Sequence, residues 1–114
     1  SDMRKAEKVL KHMELQGLDP NIVTYGTLIK GYASEGCVDR MMKKYEEMSS
    51  RHITVSQTLF IIMLRALGKH VGLDRAMSWF KEMSVMGFQP DARAHKILLE
   101  LSMKKGRRGR SRNG

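Results

Sequence analysis

The chain has 114 residues, 41% of them apolar, enough for one small domain, and its net charge of +9 directs attention to polyanionic partners. The single cysteine, Cys37, excludes an internal disulfide framework and is expected to be structural, since no general base stands beside it. No apolar run approaches the about 18 residues needed to span a membrane, and Ser1 opens no signal or transit segment, so any targeting information is expected to lie outside this chain.

From its beginning the chain is periodic. Met13, Met48 and Met83 fall 35 residues apart, as do the pairs Asp39-Arg40 and Asp74-Arg75 and the methionines Met42 and Met77. A unit this short cannot bury its own apolar face and must stack on its neighbours. Residues 1–21 carry Met3, Ala6, Val9, Leu10 and Met13 at helical spacing and predict the second helix of an incomplete repeat. Gly17 marks that helix's end, Pro20 prevents continuation, and the next helix starts shortly after.

Residues 22–56 form the first complete unit. Ile22, Tyr25, Leu28, Ile29 and Tyr32 predict one helix face ending at Gly36. A second helix follows, with Asp39 as cap or first-turn acid and Met41, Met42, Tyr45 and Met48 as its apolar members. Its exit is less clearly specified, because His52 and Val55 stand where the other units have glycine and proline. Residues 57–91 repeat the plan, with Leu59, Phe60, Met63, Leu64 and Leu67 on one helix, Gly68 and Gly72 near the turn, Met77, Phe80 and Met83 on the next, and Gly87 and Pro90 closing. Residues 92–103, with Ala94, Ile97, Leu98 and Leu101, predict a first helix whose partner is missing. Three units are ordinarily needed for stability, so the chain is expected to be part of a longer array, and its half-units are expected to self-associate through their exposed apolar rows.

Six of the nine net charges sit in residues 104–114: Lys104, Lys105, Arg107, Arg108, Arg110 and Arg112. Without apolar residues to order it, this stretch is expected to be a disordered basic tail able to meet a polyanion.

A 35-residue helical hairpin reading Val23-Thr24-Tyr25-Gly26-Thr27-Leu28-Ile29, then Glu47-Met48, then a closing Gly-x-x-Pro-Asp, resembles the pentatricopeptide repeat family of the plain type, over residues 1–103. The resemblance implies an all-α, right-handed α-solenoid of antiparallel helical hairpins and the binding of single-stranded RNA, one base per repeat, in a plastid or mitochondrion. In that family the base is read by a residue just after the aromatic of the first helix, together with the residue closing the repeat. Carried over, the pairs are Gly26 with Ser56 and Ile61 with Asp91, while Asn21 closes the upstream repeat and Lys96 opens the downstream one. The residues that would sandwich bases are Val23, Thr58 and Arg93, and Lys69 matches a phosphate-contacting place. Gly26 and Ile61 depart from the polar residues favoured there, which predicts weak base selectivity, and which also leaves a protein-interaction scaffold in a ribonucleoprotein or transcription assembly as the alternative.

No catalytic constellation, cofactor motif or metal spacing is found. His12, His52, His70 and His95 lack the pairing that zinc sites use. His95 aligns with Tyr25 and Phe60 and is expected to fill an aromatic packing place, Glu46 and Glu47 are expected to be solvated, and Trp79, aligned with Val9 and Lys44, is expected to pack rather than stack on a base.

Overall fold

Helices this short are located by their ends, and the repeat supplies those ends at a fixed interval. The computed structural model describes the backbone of residues 3–113 and side chains as far as Lys104. It holds the helices α1 (Met3–Leu15), α2 (Ile22–Ser34), α3 (Val38–Ser50), α4 (Gln57–His70), α5 (Leu73–Val85) and α6 (Ala92–Asn113), with no strand among the described residues. The fold is all-α, and α2 and α3 pack against each other as a helical hairpin. Two compact units are distinguished, Ser1–Met63 and Leu64–Gly114, with the division falling inside α4.

Three helix exits close in the same way. The amide of Leu18 donates to the carbonyl of Met13 at 2.9 Å, that of Ile53 to Met48 at 3.1 Å, and that of Phe88 to Met83 at 2.9 Å. These are the long bonds of a Schellman motif, and the recurring methionine supplies the acceptor each time. The residue between takes a left-handed conformation: Gly17 at φ 75°, His52 at φ 63° and Gly87 at φ 93°. The middle exit, loosely specified by its sequence, therefore keeps the geometry of the others with a histidine in the glycine's place. Asp39 and Asp74 lie in the first turns of α3 and α5, where a carboxylate meets the positive end of the helix dipole. Neither is a cap: the N-cap positions are Cys37 and Gly72, without side-chain capping bonds.

In the first unit α1 packs on α2 and α2 on α3. Tyr25, Ile29, Met41, Met48, Phe60 and Met63 are fully buried. A Cβ on Gly31 would lie 2.5 Å from the Met3 sulfur, so the bare glycine lets α1 approach α2. In the second unit α5 packs on α6 around Ala76, Met83 and Ala94. Gly68, expected near the turn, instead lies within α4, where a Cβ would overlap the Leu101 side chain of α6. Each large buried side chain contributes roughly 1.5–3 kcal/mol against about 1 kcal/mol for a cap. Packing thus supplies the stability, and the ends set the register.

Three further expectations meet the structure. Trp79 packs, at 2% exposure. Glu46 is exposed, but Glu47 is partly covered and bonded to Lys44 at 3.1 Å, so it is not simply solvated. His95 does contact an aromatic ring, edge-on to Phe80 with centroids 5.2 Å apart, yet it is exposed rather than enclosed like Tyr25 and Phe60. The end of α6 differs too: where disorder is expected from residue 104, the helix runs on to Asn113. Lysine and arginine are good helix formers and the stretch holds no proline, so Gly106 and Gly109 weaken the helix without ending it. The side chains of Lys105, Arg107, Arg108, Arg110 and Arg112 lie outside the described residues.

Candidate nucleic-acid interface

The three residues expected to close a repeat and help read a base occupy one structural place, the start of the next first helix. Asn21 is the N-cap of α2, its Oδ1 accepting from the amides of Val23 at 2.9 Å and Thr24 at 3.1 Å, with Thr24 completing a capping box. Ser56 accepts from the amide of Leu59 at 3.1 Å through its hydroxyl, and its carbonyl takes the Phe60 amide at 2.9 Å. Asp91 accepts from the amide of Arg93 at 2.9 Å. The recurrence follows from local chemistry, since short polar side chains satisfy the free amides of a first turn.

Their remaining hydrogen-bonding capacity differs. The Asn21 amide nitrogen and the Ser56 hydroxyl proton can still donate. Asp91 is more fully committed: its Oδ2 also receives the Arg93 guanidinium, at 3.0 Å from Nε and 2.9 Å from Nη2. The Arg93 side chain, bonding first and foremost, holds the Asp91 carboxyl below its usual range. Arg93, expected to sandwich a base, is thus drawn back onto its own helix start.

On α2, Val23 is 71% exposed, and Gly26 one turn on has open space above it, since a Cβ there would meet nothing within 4 Å. Thr27 beside it returns its hydroxyl to the Val23 carbonyl at 2.8 Å. Ile61, the equivalent of Gly26 on α4, is only 5% exposed. Gly26 is buried as well, and an aliphatic side chain at the equivalent place gains more from burial than from facing a polar ligand. Thr58 is exposed at the start of α4, Lys69 is exposed near its end, and Lys96 is exposed on α6.

Two basic residues escaped the sequence reading. Lys30 and Arg65 are exposed on α2 and α4 and stand one period apart, four residues beyond Gly26 and Ile61 respectively. Their common spacing and charge were the available signal. With Lys69 and Lys96 they give the first helices several cations, while Asn21 and Ser56 add hydrogen-bonding groups. Among the described residues no cluster of His, Cys, Asp or Glu could hold a metal ion, and no helix is long and apolar enough to cross a membrane.

Comparison with known proteins agrees with the repeat. The PPR repeat family model matches residues 1–34 and 20–69, and the PPR repeat model matches residues 58–88. The chain is 22% identical, over 88% of its own length and 13% of the relative's, to the chloroplastic pentatricopeptide repeat-containing protein At3g09650 of Arabidopsis thaliana. It is 26% identical, over 78% of its length and 12% of the relative's, to the mitochondrial 15S rRNA processing factor CCM1 of Yarrowia lipolytica. Among solved structures, the pentatricopeptide repeat protein PPR10 from maize superposes with a TM-score of 0.81 at 27% identity, over 93% of this chain and 15% of that one. PPR10 in complex with an 18-nt psaJ RNA element superposes at 0.73 and 29% identity, over 91% and 15%. The chain therefore spans a small fraction of each relative's length.

Proposed function

The chain belongs to the pentatricopeptide repeat family, and from that premise we propose that it is a single-stranded RNA-binding segment of an organellar RNA-processing, splicing or stabilising factor, acting in a plastid or mitochondrion. The observation that carries the reading is the equivalent placement of Asn21, Ser56 and Asp91, polar residues at the starts of α2, α4 and α6. The likeness to maize PPR10, which has been solved with bound RNA, supports it, as do the chloroplastic and mitochondrial relatives.

Binding is passive in this reading. Lys30, Arg65, Lys69 and Lys96 neutralise phosphates, the basic stretch 104–114 adds to them, and Val23 and Thr58 flank bases. Selectivity is weak, because Gly26 offers no side chain, Ile61 is buried and Asp91 is held by Arg93. Those same three facts are what favour the second reading, a protein-interaction scaffold whose first helices no longer read bases.

The test uses the open space at Gly26. The Cβ of Gly26→Asn meets nothing within 4 Å, and its carboxamide would supply a hydrogen-bonding partner to Ser56. Among short single strands differing at one base, the variant should gain a preference of about 1–3 kcal/mol. Absence of RNA binding by the parent chain would move the assignment to the scaffold. Binding without any gained preference would retain RNA as ligand but remove Gly26 from the reading position.

A further inference from the structure

Away from the first-helix starts, the first unit contains a cleft of about 410 Å³. Arg4 and Glu7 of α1 and Arg40, Lys43, Lys44 and Glu47 of α3 line it, with Tyr32 of α2. Tyr32 and Lys44 are buried, at 3% and 8% exposure, and form its floor. The Lys44 ammonium lies 2.8 Å from Glu7 Oε1 and 3.1 Å from Glu47 Oε1, and the Tyr32 hydroxyl donates to the other oxygen of Glu7. Both carboxylates are therefore bonded to Lys44. The floor holds one cation against two carboxylates, and Arg4, Arg40 and Lys43 add three cations at the walls, for a cleft charge of +2.

Nothing in the repeat requires this cluster. One period on, the places of Arg4, Glu7, Tyr32, Lys43 and Lys44 are taken by Asp39, Met42, Leu67, Ser78 and Trp79. Trp79 shows that the repeat packs well with an aromatic ring where Lys44 sits, since both are buried. A buried lysine satisfied by two carboxylates is not a cheaper way of filling that place than apolar packing. Of the basic walls, Arg4 and Lys43 are particular to this unit, while Arg40 recurs as Arg75.

We propose that the cleft binds a phosphate monoester dianion, carried either by a free nucleoside monophosphate or by the 5′ end of an RNA. The dianion matches the +2 charge of the walls and floor taken together. Arg40 and Lys43 stand one helical turn apart on α3, and Arg4 of α1 lines the same cleft, so one phosphate can meet a guanidinium fork and an ammonium at once. The volume exceeds that of a phosphate alone and leaves space for a sugar and base, within the range of small-molecule sites. This inference is independent of the RNA reading, because a free nucleotide satisfies it as well.

The experiment is an NMR titration of the 114-residue chain at constant ionic strength with inorganic phosphate, adenosine monophosphate, and a short oligouridylate with and without a 5′-phosphate. Saturable shifts are expected at the amides around Arg4, Tyr32 and Lys43 with inorganic phosphate. The double variant Arg40→Gln/Lys43→Gln, both exposed positions, should weaken binding at least tenfold, whereas Arg75→Gln, the equivalent of Arg40 in the next repeat, should not. Binding of adenosine monophosphate as tight as that of the phosphorylated oligonucleotide identifies a free nucleotide as the source, and tighter binding of the oligonucleotide identifies the RNA end. Non-saturating shifts, shifts unaltered by the double variant, or equal perturbation by the 5′-hydroxyl oligonucleotide would each overturn the proposal.

Discussion

Replacing His52 with glycine should stabilise the chain. His52 holds φ 63° at the exit of α3, the place that glycine holds at the exits of α1 and α5. A side chain with a Cβ costs about 1–2 kcal/mol in this conformation, while glycine's greater freedom in the unfolded chain costs about 0.4–1 kcal/mol. The net gain for His52→Gly is therefore roughly 0.5–1 kcal/mol, or about 2–4 °C in Tm for a chain of this size. The imidazole is exposed, so little packing is lost. Urea unfolding followed by far-UV circular dichroism should show a higher midpoint at unchanged m. The reciprocal variants Gly17→Ala and Gly87→Ala isolate the same effect, because an added Cβ at either place meets nothing within 4 Å. Each should lose about 0.5–1 kcal/mol by conformation alone. If His52→Gly proved neutral or destabilising while the two alanine variants lost stability, the left-handed cost at position 52 would be offset by histidine contacts, and the reasoning would fail.

Burial first, and then the bond to Glu7, pushes the Tyr32 hydroxyl up to about 12. A raised pKa stabilises below the unfolded value of about 10 and is lost as pH climbs through the folded value, so stability should fall between pH 10 and 12, and Tyr32→Phe should flatten that limb. A Tyr32→Phe variant with an unchanged alkaline limb would assign it to other groups. Deleting residues 104–114, which carry six positive charges, should reduce the salt slope of single-strand binding by up to about 0.7 per lost phosphate contact, and so by at most about 4; an equal slope would leave the stretch without an RNA role. Val9 on α1 and Leu99 and Met103 on α6 are exposed apolar side chains on the first and last helices, so sedimentation velocity should show concentration-dependent association, and a monomer at every concentration would contradict it.

The repeat period, the hairpins and most core positions were legible because burial and helix periodicity act on every unit alike. Tyr25 and Phe60, or Met48 and Met83, answer to the same packing demand 35 residues apart. What escaped was non-repeating or long-range. Gly68 looked like a turn residue because its partner, Leu101, lies 33 positions away. Glu7, Tyr32, Lys44 and Glu47 come from three helices, and no spacing rule joins them before the helices are packed. The helical continuation past Met103 was missed because composition was weighed for core formation, while helix propensity in a lysine- and arginine-rich stretch needs no core.

The closing residues of the repeats are the harder case, since one side chain is asked to cap a helix and to read a base. Ser56 allows the two roles to be separated. Its hydroxyl accepts from the Leu59 amide at 3.1 Å, so Ser56→Ala should cost about 1 kcal/mol of stability through the lost cap. Ser56→Asn keeps a good cap and should leave stability within a few tenths of a kcal/mol, yet it presents a carboxamide where the parent presents a hydroxyl. If the position reads a base, Ser56→Asn should shift the preference among strands differing at one nucleotide, at unchanged unfolding midpoint. If Ser56→Ala lost no stability the capping role would be excluded. If neither variant altered binding preference, position 56 would serve the helix alone, and the polar pattern at the repeat ends would follow from α-helix chemistry without any contribution from RNA.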